Sequence, residues 1–182
     1  MGADIHMYVE YREKKRAKQA VKAGTQSPWY SYGDEINPGR NYIMFAILAG
    51  VRGNYKGSFD PKGQVDDMGY AAKHDAYMFI VDKPREEIHD QGCVSREDAL
   101  QYASWGRQII DDTWVEHPDW HSHSWMTIKE LEKVFKLYEK YASKEWREPI
   151  KVGVEYRALL ASMKALDDEG NNEVRVVFWF DN

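Results

Sequence analysis

At 182 residues with a single cysteine, Cys93, the chain is long enough to bury one core and cannot form an internal disulfide, so a single domain over 1-182 is expected. A formal net charge of -5 excludes a protein that coats polymeric nucleic acid, and no apolar run is long enough for a membrane helix, which leads to the expectation of a soluble cytoplasmic protein. Seven Trp and twelve Tyr are more than a core of this size needs, so some rings are expected to line a pocket for a planar ligand.

In chain order, residues 3 to 11 alternate, with Ile5, Met7 and Val9 on one face and Asp4, His6, Tyr8 and Glu10 on the other, which predicts a strand with one polar face. The basic cluster from Arg12 to Lys22 reads as a solvated hairpin arm or helix face able to touch phosphate locally. After the turn Asn37-Pro38-Gly39, residues 41 to 51 predict a buried helix that ends near Gly50 and Gly53. Glycines at 53, 57, 63 and 69 make 52 to 70 a long loop of the kind that carries binding groups. Ser95 caps a helix over 95 to 111, with Glu97 and Asp98 suiting its dipole. Thr127-Ile128-Lys129-Glu130 is a capping box, followed by an apolar stripe through Ile128, Leu131, Val134, Phe135, Tyr138 and Tyr141. A further helix spans 153 to 167, and Val174, Val176, Phe178 and Phe180 alternate in a closing strand. These elements predict an α+β fold, a mainly antiparallel sheet containing both terminal strands with about four helices packed on it.

Fingerprints of nucleoside-triphosphatases, dinucleotide-binding proteins, zinc proteases and serine hydrolases are missing. Chemistry instead concentrates in His121-Ser122-His123-Ser124-Trp125, just ahead of the Thr127 cap, where free backbone N-H groups and hydroxyls can hold phosphate oxygens while an imidazole moves a proton. The competing reading has these histidines capping the helix or lying half-exposed beside Trp120 and Trp125. Asp4 and His6 share a strand face, about 7 Å apart by strand rise. If the two segments meet, Asp4, His6, His121 and His123 make a ligand set for a divalent metal such as zinc, manganese or iron. Arg40 and Arg52 bracket the buried helix and can clamp phosphate or serve as ordinary ion-pair partners. Asp66 and Asp67 in the glycine-rich loop can ligate a cation, accept a ribose hydroxyl, or stand as exposed loop acids.

The chain resembles a family of small proteins of tailed phages and some bacteria that open with Met-Gly-x-Asp-Ile-His and carry a later His-Ser-His-Ser-aromatic motif. Here these are Met1-Gly2-Ala3-Asp4-Ile5-His6 and His121-Ser122-His123-Ser124-Trp125, and the likeness continues through Arg40-Asn41-Tyr42, Leu48-Ala49-Gly50-Val51-Arg52, Pro61-Lys62-Gly63 with Asp66, and Phe178-Trp179-Phe180-Asp181-Asn182. The stretch from Tyr70 to Trp114 is longer than the family pattern and is a candidate insertion. The resemblance implies a phage-type origin and a shared polar set, without an activity. By analogy, small phage proteins with such pockets include antagonists of bacterial nucleotide immune signals.

The leading expectation is a phosphodiesterase acting on a nucleotide-type signal. In it His121 and His123 serve as base and acid, His6 assists, Arg40 and Arg52 neutralise phosphate, and Asp66 and Trp125 contact the ligand. The alternatives are a non-catalytic nucleotide-sequestering protein with Trp and Tyr stacked on a base, a metal-dependent hydrolase on Asp4, His6, His121 and His123, and a structural phage component. Oligomerisation is left open.

Overall fold

The computed structural model describes residues 2–181, so Met1 and Asn182, the outermost residues of the family likeness, lie outside the described residues. The fold is α+β with two sheets, and the first sheet holds both terminal strands as expected. Strand β1 (Ile5–Glu13) pairs antiparallel with β8 (Asn172–Phe180) along its whole length, from Ile5 opposite Phe180 to Glu13 opposite Asn172. The short β2 (Tyr30–Ser31) adds to the far edge of β1, and β7 (His121–Thr127) adds to β8, giving the order β2-β1-β8-β7.

One face of this sheet carries the main core. Ile5, Met7, Val9, Val176, Phe178, Phe180 and Met126 project into it and meet three helices, α2 (Tyr42–Ala49), α5 (Ile128–Trp146) and α6 (Val154–Leu166). At about 1.5–3 kcal/mol per fully buried large apolar side chain, this layer supplies most of the driving force for folding. Helix α2 has local stops. The Asn41 side chain accepts the Met44 N-H, and Gly50 at φ 68 takes the left-handed turn that ends it. The capping box at α5 forms as the sequence predicts, with Thr127 and Glu130 each accepting the other's backbone N-H.

The alternate face, which the sequence marks as polar, is also buried. It is covered by α3 (Tyr70–Ala76) and a second sheet of order β4-β3-β6-β5, built from β3 (Tyr77–Val81), β4 (Cys93–Ser95), β5 (Ile109–Ile110) and β6 (Trp114–Glu116). The candidate insertion from Tyr70 to Trp114 supplies most of this layer. Tyr8, Val177 and Trp179 of the first sheet pack against Ala72, Ala76 and Tyr77 of the covering layer. A smaller core of Ile80, Val94, Ala99 and Val115 lies beneath α4 (Arg96–Ser104).

Six α-helices form among the described residues, against about four expected. The basic cluster becomes α1 (Lys14–Lys22), and α3 has no counterpart in the sequence reading. The helix predicted over 95 to 111 stops at Ser104, because Gly106 at φ 90 turns the chain and Ile109–Ile110 then pairs as an edge strand. The loop predicted over 52 to 70 holds neither helix nor strand before Tyr70 and docks on β7, with Gly63 N-H donating to His123 O at 3.0 Å. Among the described residues no helix is long and apolar enough to cross a membrane.

Candidate functional site

The His121–Thr127 segment is a strand, so its histidines do not sit on the free N-H groups of α5, which the Thr127 and Glu130 capping box already engages. Between His121 opposite Phe180 and Ser124 opposite Phe178, β7 carries one extra residue, a bulge made by Ser122 at φ 53. Without it, alternate residues would share a face. With it, His121 stacks on Phe180 at 6.1 Å on the main-core side, while His123 packs on Trp179 at 5.9 Å on the other. The two histidines therefore occupy opposite faces and do not form one acid and base pair.

His123 is buried, with Nδ1 3.1 Å from Glu116 Oε1. Burial pushes its pKa down to about 4, aided by Arg107 and His121, so the ring is neutral near pH 7. His121 is half-buried, with Nδ1 2.9 Å from Ser122 Oγ and Nε2 3.3 Å from the Asp181 carbonyl. His6 lies directly opposite Trp179 in the sheet and stacks on it at 6.0 Å. The Trp179 indole thus packs on both His6 and His123.

The other expected residues disperse. Asp4 is held by Arg40 through two hydrogen bonds of 2.6 and 2.7 Å at the surface, and this contact keeps the Asp4 carboxyl below its ordinary range. Arg52 is exposed at φ 62, beyond the far end of α2 from Arg40, so roughly 12 Å of helix separates the intended clamp. Asp66 is exposed, and its neighbour Asp67 makes the structured contacts instead. Trp125 is half-buried with Lys62 Nζ 3.8 Å above its ring, away from His6 along the sheet.

What the fold brings to His6 is a pair of acids from two other segments. Ile36 N-H donates to Met7 O and Tyr32 N-H to Val9 O, both at 2.8 Å, and these bonds zip residues 32–36 along the free edge of β1 and set Glu35 beside His6. Asp75 arrives from the end of α3. His6 Nδ1 stands 2.8 Å from Glu35 Oε1 and 3.7 Å from Asp75 Oδ2, while Nε2 faces Asp181 Oδ2 at 3.6 Å. Despite these approaches neither ring nitrogen is aligned for a hydrogen bond, and both are shielded from solvent. One donor atom from each of His6, Glu35 and Asp75 fits within 4.8 Å of the others. Donors about 2.1 Å from one ion stand roughly 3.0 to 3.5 Å apart, so small side-chain adjustments suffice for a shared cation.

The surroundings support these groups. Tyr8 hydroxyl donates to Asp75 Oδ2 at 3.3 Å, and burial together with Asp75 and Glu35 pushes its pKa far up, so it remains a donor. Trp120 Nε1 donates to the Asp75 carbonyl at 2.8 Å, and its ring lies 4.6 Å from that of His6. His6 and Asp75 open onto a cavity of about 310 Å³ that His74, Tyr77, His117 and Trp120 also line. Burial lowers the His117 pKa, so this ring too is neutral at pH 7.

Glu35, Asp75 and His117 are absent from the sequence candidates. The available signals were faint: an Asp34-Glu35 pair after Gly33, an acid at the end of a short helix, and a His-Pro-Asp-Trp turn just ahead of the His-Ser-His-Ser motif. Compared with known protein families, curated proteins and solved structures, the chain matches none. The class it represents is therefore defined by geometry: an α+β protein with a histidine and carboxylate cavity between two sheets.

Proposed function

We propose that the chain is a divalent-metal-dependent hydrolase of a phosphorylated small molecule, with His6, Glu35 and Asp75 as metal ligands. The observation that carries this reading is the convergence of these three donors from separate segments, two of them, His6 and Asp75, lining a cavity and the third, Glu35, approaching His6 from the exposed side, where both His6 ring nitrogens are buried without a hydrogen bond. A structural ion pair of this proximity would align its hydrogen bond, because leaving buried polar atoms unsatisfied costs about 1–3 kcal/mol each. A cation shared by Nδ1 of the imidazole and the two carboxylates would satisfy that nitrogen and would leave positions for water and substrate. One nitrogen and two oxygen ligands suit manganese, iron, zinc or magnesium.

Held by His6, Glu35 and Asp75, such an ion would supply Lewis acidity toward a phosphoryl oxygen and would lower the pKa of a water towards neutrality. The protein's own residues position and enclose. Tyr8 orients Asp75, and the Asp181 carboxylate lies 3.6 Å from the second nitrogen of His6, on the side from which an outer carboxylate would steady a ligating imidazole. Trp120 and Tyr77 wall the cavity against bulk water. Of the metal set expected from sequence, this reading retains His6 and puts Glu35 and Asp75 in place of Asp4, His121 and His123. A nucleotide-type signal in a host cytoplasm as substrate follows from the phage-type resemblance and belongs to the proposal.

Demetallated protein titrated with Mn²⁺ by calorimetry is expected to bind one equivalent, and His6→Ala and Glu35→Gln to lose it. Hydrolysis of bis(p-nitrophenyl) phosphate should require the metal and stop with chelator. Folded wild-type protein that takes up neither Mn²⁺ nor Zn²⁺ stoichiometrically sinks the reading.

A further inference from the structure

The same cavity has another wall, the turn that leads from β6 back to β7. His117 N-H donates to Ala76 O at 3.1 Å, next in sequence to Asp75, and Trp120 N-H donates to the His117 carbonyl at 3.3 Å. This tight turn stacks the His117 ring on Trp120, centroids 4.2 Å apart and planes 22° from parallel, while Trp120 also touches His6. The turn further directs the Asp119 backbone N-H at His117 Nδ1, 3.2 Å away. A backbone N-H can only donate, so Nδ1 must accept, and the neutral ring carries its proton on Nε2. His117 is therefore a one-donor group with Nε2-H as its donor, and its ring lines this cavity as well as a neighbouring one of about 420 Å³.

We infer that His117 is the substrate-anchoring donor of this cavity, its Nε2-H bonding an anionic phosphoester oxygen of a ligand whose other oxygens reach the cation that His6, Glu35 and Asp75 would hold. The inference rests on the metal-site reading for where the ligand's phosphoryl group lies. It adds a substrate class. A cavity of about 310 Å³ is at the small end of ligand sites, which fits one small phosphoester of mononucleotide scale. An oxygen acceptor is favoured because a single rigid N-H donor beside a cation site is best matched by an anionic oxygen, which makes the stronger, charge-assisted bond.

Two substitutions separate the donor from the ring. His117→Phe keeps a flat ring for Trp120 and removes the donor, and His117→Gln keeps a donor. The probes are inorganic phosphate, titrated by calorimetry into Mn²⁺-loaded and metal-free protein, and bis(p-nitrophenyl) phosphate for turnover. The Phe variant is expected to retain one Mn²⁺ and the wild-type melting temperature, to bind phosphate about tenfold or more weakly, and to raise KM more than it lowers kcat, with Gln restoring part of the affinity. In ¹⁵N spectra of the wild type, His117 should show an unprotonated Nδ1. Unchanged phosphate affinity in a Phe variant that still binds Mn²⁺ overturns the role of His117 and leaves the metal reading standing. The reverse pattern, no Mn²⁺ uptake by wild type but phosphate affinity lost in the Phe variant, overturns the metal reading alone. Should the Phe variant fail to fold, a protonated Nδ1 in the wild-type spectrum overturns the proposal without it.

Discussion

Two charged clusters share one face of the same sheet, and they are built in opposite ways. Towards one end, Glu10 and Arg175 lie side by side on β1 and β8. Arg175 donates to Glu10 Oε2 at 2.8 Å, to Asp67 Oδ1 at 2.8 Å and to the Asp67 carbonyl at 3.0 Å, while Gly69 N-H donates to the other Glu10 oxygen. Trp29 closes this cluster, its Nε1 donating to Asp67 and its ring 3.9 Å from the Arg175 guanidinium. Four positions along β1, His6 has two acids within 3.7 Å of Nδ1 and no aligned bond. The first cluster uses its polar atoms internally and fastens the 52–69 loop to the sheet. The second leaves its ring nitrogens unsatisfied beside a cavity, which is the state expected of groups reserved for a ligand.

The largest effect should come from breaking the satisfied cluster. Arg175→Met strands Glu10, which is fully buried, without its cation, while Asp67 keeps Arg12 at 3.2 Å, and should cost about 3–5 kcal/mol in urea unfolding. Glu10→Gln in the same chain should recover part of that loss, since fewer charges are then orphaned. A loss below about 1 kcal/mol for the single variant would erase the distinction between the clusters.

The next effect is set by pH. His123 titrates at about 4 when folded against 6.5 as its ordinary value, so the folded state binds fewer protons between those limits. Its contribution is therefore intact above pH 6.5 and is lost as pH falls towards 4, at most about 3 kcal/mol for a shift of this size. His123→Phe should flatten the stability slope in this window, and a slope identical to wild type would show that the ring is not held neutral by burial.

Much of the fold was legible in the sequence because it is set locally. Alternation in Ile5, Met7 and Val9, the Thr127 capping box and the Asn41 to Gly50 limits of α2 need only neighbours a few residues away. The second sheet escaped because its strands are two to five residues long, too short for a period to register. The two-face placement of His121 and His123 escaped because one backbone angle, at Ser122, decides it. The Met-Gly-x-Asp-Ile-His motif also divides. A side chain at Gly2 would run into the Arg40 guanidinium that holds Asp4, so Gly2 and Asp4 serve a surface contact and only His6 reaches the cavity. The partners of His6 come from segments with no local mark, and only tertiary folding joins them.

The unsatisfied cluster should respond to substitution with the opposite sign from the satisfied one. In metal-free protein, Glu35, Asp75 and Asp181 crowd one imidazole, so Glu35→Gln, at a side chain 34% exposed, should leave stability unchanged or raise it by up to about 1 kcal/mol. A loss of more than that in metal-free protein would make the His6 and Glu35 contact an ordinary structural pair.

The smallest effect concerns the bulge that keeps the two motif histidines apart. Ser122 at φ 53 pays a left-handed backbone penalty of order 1 kcal/mol, which glycine would not. Ser122→Gly also removes the hydroxyl 2.9 Å from His121 Nδ1, a partly exposed bond of about 0.5 kcal/mol, so the net gain should be near 0.5 kcal/mol. Because glycine keeps the bulge, His121 should still contact Phe180 and His123 still contact Trp179 in nuclear Overhauser spectra. Loss of either contact would show that the hydroxyl, rather than the extra residue, assigns the two histidines to their faces.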